Sequence, residues 1–278
     1  MTRYGGSNEG AGHRWCRVHR REPRAPAPRR RLRRGRRARR PVDRVATTSP
    51  ASTWNFVEGS ILDADTARLV PRRRSHAIVH LAARPSVPRS IEDPVASHEA
   101  NATGTVEVLE AARAAAGGGH VIVASSSSVY GANPTLPKHE GLVPMPASPY
   151  AVSKLATESY TLAYRRCFAL PVLAFRFFNV FGPLQAAGHA YAAVIPAFVD
   201  AALRGEPLTV HGDGTQSRDF TYVGTVTEVI ADALARRVDH DGPVNLAFGT
   251  RTDLLSVIAK LEGILGTAVE RNHTPTGR

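Results

Sequence analysis

The 278-residue sequence predicts an α/β fold: a doubly wound parallel sheet followed by a smaller C-terminal lobe. Three observations carry that expectation. Short, continuous apolar runs at Ala77–Ala83, His120–Ala124 and Val172–Phe177 read as buried strands. Helical segments over residues 97–115 and after Ser148 separate them, the order expected of crossovers in a parallel sheet. His80, Ser126 and Asn179 each stand where a strand ends, and chemistry in an open parallel sheet belongs at the carboxyl ends of its strands.

Along the chain, residues 1–50 have neither helical nor strand periodicity and are dominated by Arg, Pro, Gly and Ala, so they read as an irregular tail. The character changes after Thr53, and residues 51–180 form the expected sheet domain. Residues 181–278 form the expected lobe. In it Ala192–Leu203 reads as a helix, Leu208–Val210 as a strand and Gly212–Gly214 as a turn. Helices are expected over 225–237 and 253–265, with Val244–Leu246 between them.

Charge and composition exclude several classes. Residues 1–44 hold sixteen Arg and three acids, whereas the remainder carries twenty basic and twenty-one acidic groups. The formal surplus of +12 therefore lies in the tail, and the rest has the balance of an ordinary globular domain. An Arg tail alone suits phosphate contacts, but this one offers only Tyr4 and Trp15 for stacking and no docking motif. A nucleic-acid-binding protein is the alternative reading, not the expected one. Two cysteines give no disulfide framework, which points to a reducing cytoplasm, and no apolar run approaches membrane-spanning length. His139, His189 and His211 lack metal-ligand spacing, so no metal is expected.

Tyr150 and Lys154 are the candidate chemistry. They lie four apart, on one face of a helix that Ser148 can cap and Pro149 can open. An ammonium beside a phenol favours the phenolate, drawing its pKa down from about 10. A hydroxyl from the serine-rich strand end Ser125–Ser128 completes a base able to take a proton from an alcohol.

These residues resemble the extended short-chain dehydrogenase/reductases that act on nucleotide sugars, most of all the UDP-hexose 4-epimerases, including the branch taking N-acetylhexosamines. The likeness runs from about Trp54 onward through His80–Ala83, Ser86–Ile91, Asn101–Thr105, the serine-rich strand end, the Tyr/Lys pair, Arg176–Pro183, Tyr191–Pro196 and Gly212–Phe220. It implies a Rossmann-like sheet, NAD as cofactor, a UDP-sugar substrate and a homodimer built on a four-helix contact from residues 97–115 and 150–166. By resemblance Tyr150 is the base, Lys154 lowers its pKa and holds the nicotinamide ribose, and Ser126 relays the proton, with Ser125 and Ser127 as rivals. Leu81, Ala82, Ala83, Asn101, Ser125 and Phe177 are implied around the dinucleotide, and Ser86, Ser126, Asn179 and Arg218 around the sugar nucleotide. Related 4,6-dehydratases carry an acid pair just before Val-Tyr-Gly. Ser127 and Ser128 stand there instead, and a hydroxyl cannot serve as the acid that loss of water requires.

One part of the pattern is missing. A dinucleotide site needs a first strand and a Gly-rich turn opening a helix, yet Gly5-Gly6 and Gly10-Ala11-Gly12 follow no apolar strand. The sixteen Arg without a Lys suggest GC-rich DNA read out of frame. Residues 12–24 admit codons that, advanced one base, read Val-Thr-Gly-Gly-Ala-Gly-Phe-Ile-Gly-Ala-Asn-Leu. Residues 34–45 likewise admit Val-Val-Val-Ala-Leu-Asp-Asp-Leu-Ser-Thr-Gly. The expectation is a shifted dinucleotide fingerprint between about residues 10 and 53. Ser60 replaces an Asp common in relatives, Gly224-Thr225 replaces an acidic residue, and relatives continue past the point where this chain stops. These departures keep a second alternative open, a homologue that retains the fold without activity.

Overall fold

The computed structural model describes residues 59–63, 77–115, 119–187 and 193–275. The Arg-rich tail and the expected shifted fingerprint lie outside the described residues.

Four parallel strands make the main sheet: β1 (Ala77–His80), β2 (His120–Ser126), β3 (Val172–Phe177) and β8 (Pro243–Leu246), in the order β1-β2-β3-β8. Their side chains alternate between two apolar layers, as a sheet covered on both faces requires. Val121, Val123, Val172 and Ala174 face helices α3 (Gly104–Ala114) and α4 (Pro149–Phe168) through Val108, Leu109, Ala112 and Tyr164. Ile122, Leu173, Phe175 and Leu246 face the other way, against Val226, Ile230 and Ala233 of α6 (Val223–Ala235). The expected α/β fold with helices on both faces is therefore present.

Between β1 and α3 the chain forms α1 (Val87–Glu92), α2 (Pro94–His98) and a π-helical turn, Glu99–Thr103. The sequence predicts one helix over 97–115; the structure starts helical backbone at Pro94 and inserts the π turn at Asn101. A 3-10 turn, Ser127–Tyr130, follows β2, and β4 (Val180–Phe181) follows β3. Further on come α5 (Val194–Arg204), β5 (Leu208–His211), β6 (Ser217–Arg218) and β7 (Thr221–Tyr222). The remaining elements are β9 (Thr252–Asp253), α7 (Leu254–Leu265) and β10 (Arg271–Thr274).

A separate apolar cluster joins Phe198 of α5, Leu208 and Val210 of β5, and Leu254 and Ile258 of α7. The expected division at residue 181 is nevertheless crossed. α6 and β8, read from sequence as part of the lobe, return to the main sheet, where Ala174–Phe177 pair with Pro243–Leu246. The reason is packing: α6 carries an apolar stripe, Val226, Ile230 and Ala233, that is buried against Ile122 of β2 and Leu173 and Phe175 of β3.

Candidate active site

The candidate catalytic helix is fixed at its first turn. Ser148 Oγ accepts from the Ala151 amide at 3.1 Å and Pro149 occupies the first turn, as the sequence predicts. A third contact was not legible: Ser90 Oγ of α1 accepts from the Tyr150 amide at 3.0 Å. Two of the orphan amides at this helix start are therefore held by hydroxyls, which sets the height of Tyr150 over the sheet.

Lys154, one turn on, is 5% exposed and has no acidic partner among the described residues. Burial alone pushes its ammonium down to about 8. His80, at the end of β1, is also buried; burial, then the Lys154 charge, push it down to about 3. A neutral imidazole follows, with Nε2 3.1 Å from Thr105 Oγ1 and Nδ1 without a partner among the described residues. That is the environment of a structural residue.

Ser126 ends β2 with its Oγ accepting from the Ser128 amide at 3.2 Å and lying 2.9 Å from Ser128 Oγ. With Ser128 as donor in both contacts, the Ser126 proton is left to point elsewhere. Ser125 takes a different direction from the one expected. Its hydroxyl is buried and donates to Glu158 Oε2 at 2.9 Å, so it faces α4.

Asn101 links the loop after β1 to the catalytic helix. Its Oδ1 accepts from the Arg84 amide at 2.6 Å, and its Nδ2 reaches the Arg84 carbonyl at 3.2 Å and Ser153 Oγ at 2.9 Å. Its own carbonyl accepts from Thr105 Oγ1 at 2.5 Å and Thr157 Oγ1 at 2.8 Å. This carbonyl lies within the π turn Glu99–Thr103. Leu81, Ala82 and Ala83 form the loop that Asn101 holds, with Ala82 buried. Ser86 caps α1 from a positive φ of 104°, its Oγ accepting from the Arg89 amide at 3.4 Å.

Phe177 closes β3 beside Phe175, and Asn179 follows at a positive φ of 32°. Asn179 Nδ2 donates to the Asp219 carbonyl at 2.9 Å, which brings the strand end to the Arg218 segment. The Asp219 carboxylate in turn accepts from the amides of Phe248 at 3.2 Å and Gly249 at 2.7 Å, beyond β8. Arg218 is exposed on β6, its Nη1 donating to the Ser217 carbonyl at 2.9 Å.

Sequence reasoning missed Ser90, Ser153, Glu158 and Arg176. Glu158 was findable: it continues the four-residue spacing of Tyr150 and Lys154 on a face that must be buried. Among the described residues, no three His, Cys, Asp or Glu side chains gather as a metal site, and no helix is long and apolar enough to cross a membrane.

The residues at this sheet edge suit a dinucleotide in part. A buried ammonium, the neighbouring hydroxyls and a small apolar loop match a ribose diol and a flat ring, while the turn expected for a pyrophosphate lies outside the described residues.

Known proteins resemble this chain in sequence and in fold. The UDP-glucose 4-epimerase of Mycolicibacterium smegmatis is 34% identical over 240 residues, covering 84% of this chain and 74% of its own. A UDP-N-acetylglucosamine 4-epimerase from Methanobrevibacter ruminantium M1, solved in complex with UDP-N-acetylmuramic acid, superposes with a TM-score of 0.75 at 32% identity, covering 80% of this chain and 70% of that one. The UDP-glucose 4-epimerase of Thermus thermophilus, solved in complex with NAD, gives 0.70 at 33% identity, covering 78% and 70%. A family model matches residues 8–247, so the match starts well before the quoted motifs and ends at the close of β8. By sequence and fold, the chain belongs to the NAD dependent epimerase/dehydratase family.

Proposed function

We propose that this protein is a nucleotide-sugar 4-epimerase that uses NAD and acts on a UDP-hexose or UDP-N-acetylhexosamine. The observation that carries the reading is the buried Lys154 ammonium, without an acid partner among the described residues, one helical turn after Tyr150 and across from the Ser126 strand end. Tyr150 takes the proton of the sugar 4-hydroxyl as the carbonyl forms, and returns it after the keto sugar has presented its other face. Lys154 holds the phenolate by charge and reaches the nicotinamide ribose. Ser126 donates to the same sugar oxygen. NAD, when bound, supplies the reversible acceptor for the hydrogen leaving C4.

Leu81, Ala82, Ala83, Asn101 and Phe177 would line or support the dinucleotide; Ser86, Asn179 and Arg218 would meet the sugar nucleotide, with the Arg218 fork suited to diphosphate oxygens. Ser125 would act on the dinucleotide side only indirectly, through its grip on α4. The hydroxyls of Ser127 and Ser128 favour epimerisation over dehydration, because neither can serve as a general acid at neutral pH.

The test is to denature purified protein and assay released nucleotide for NAD, then incubate the native protein with UDP-glucose or UDP-N-acetylglucosamine, with and without added NAD. Interconversion of the 4-epimers is expected, and Tyr150→Phe is expected to lower turnover at least about 10²-fold, the scale of a lost general base. Retained turnover in Tyr150→Phe, or a 4-keto-6-deoxy product, would overturn the reading.

A further inference from the structure

The best-buried ion pair among the described residues has no place in the proton path. Arg176 of β3 and Glu158 of α4 have side chains only 2% and 5% exposed. Glu158 Oε1 accepts from Arg176 Nη2 at 2.6 Å, and Oε2 accepts from Arg176 Nε and Ser125 Oγ, each at 2.9 Å. The guanidinium carbon lies 4.7 Å from the centre of the Tyr130 ring, and Nη1 has no hydrogen-bond partner among the described residues. Tyr130 is anchored in turn by its hydroxyl, which donates to Asn245 Oδ1 of β8 at 2.7 Å.

This arrangement touches each element that carries the chemistry. Ser125 precedes Ser126 on β2, Tyr130 closes the turn after it, Glu158 lies one helical turn beyond Lys154, and Arg176 precedes Phe177. The spacing matters most. Residues four apart on a helix have Cβ atoms roughly 6 Å apart, close enough for a carboxylate and an ammonium to pair. Lys154 and Glu158 are both buried on the face that packs on the sheet, yet the Glu158 oxygens are taken by Arg176 and Ser125.

We propose that Arg176 and Glu158 are positioning residues: Arg176 holds the Glu158 carboxylate away from Lys154, which leaves the ammonium to act on Tyr150. The inference rests on the reading of Tyr150 as base and adds the device that keeps its partner available. A carboxylate on Lys154 would neutralise the charge that favours the phenolate and draw the ammonium along the helix. Ser125 completes the device by tying the same carboxylate to the strand that presents Ser126. His80 on β1 is coupled to Lys154 and held neutral, Glu110 on α3 is engaged by Tyr164 and Arg113, and Tyr130 is bound to Asn245.

The test reads Lys154 directly. The chain contains three lysines, Lys138, Lys154 and Lys260, so side-chain ¹⁵N-lysine NMR of the full chain gives few resonances, and Lys154→Met assigns the one required. In Arg176→Met a cation is lost and the carboxylate is freed, so the Lys154 midpoint is expected to rise by about one unit or more. Glu158→Gln leaves Arg176 uncompensated, and the midpoint is expected to fall below the wild-type value. Arg176→Met/Glu158→Gln removes both charges and is expected to restore it. If Arg176→Met does not fold, Glu158→Gln and the double variant still carry the test. An unmoved midpoint in Glu158→Gln, or a double variant that stays displaced, overturns the proposal. The titration does not depend on turnover, so failure of the catalytic reading shows separately, as retained activity in Tyr150→Phe.

Discussion

Lys154 is the residue where function and stability pull hardest against each other. A buried primary amine loses hydration that no acid partner among the described residues restores, and its folded-state pKa of about 8 lies well below the value of 10.5 expected in the unfolded chain. The unfolded chain therefore binds the proton more tightly between those values, and stability rises with pH from about 8 to 10.5. Below pH 8 the full penalty is present, on the order of 3 kcal/mol at about 1.4 kcal/mol per unit. Lys154→Met, similar in volume and uncharged, is accordingly expected to unfold at higher urea concentration at pH 7. Its advantage should shrink at pH 9.5. An advantage that is absent at pH 7, or that grows with pH, would show that the site does not strain the ammonium. His80 behaves in the same sense at lower pH: its folded pKa of about 3 makes the unfolded chain the better proton acceptor below about 6.5, so acid weakens the fold through this residue.

At the scale of elements, α4 has two faces with different duties. The inward face carries Ala151, Ser153, Lys154, Thr157, Glu158, Thr161 and Tyr164 against the sheet and its neighbours. The outward face runs through Val152, Ala156, Ser159, Tyr160 and Ala163 without a charge before it reaches Arg166, although a solvent-facing helix ordinarily carries polar and charged side chains throughout. This stripe, with α3 beside it, is the surface proposed for a second copy of the chain. Sedimentation equilibrium at micromolar concentration is expected to give about twice the 29.9 kDa chain mass, and Tyr160→Asp with Ala163→Glu to give a monomer. A wild-type monomer would remove the proposed pairing.

For the whole molecule, the proposed base Tyr150 lies in the described residues and the expected pyrophosphate turn lies outside them, in the stretch expected to be frame-shifted. Comparing this chain with a version corrected by one base over residues 10–53 tests that expectation. The corrected chain is expected to release more NAD on denaturation and to epimerise faster, and equal behaviour would show the shifted frame to be wrong. Strands β1 to β3, the capped start of α4 and the Tyr150–Lys154 spacing were legible because each is local: an apolar run, a Ser-Pro cap, a four-residue repeat. The return of α6 and β8 to the main sheet was not legible, since a helix stripe states that it must be buried without stating against what. The same holds for Glu158. Its spacing puts it on the buried face, but its partner Arg176 is reached across a helix–strand contact, and the choice between Arg176 and Lys154 depends on how α4 docks on β2 and β3. The sequence by itself determined the α/β class and the chemical character of the proposed base, because those follow from residue type and period. Tertiary structure alone decided which charges meet, because ion pairing is set by distances between elements that no local period encodes.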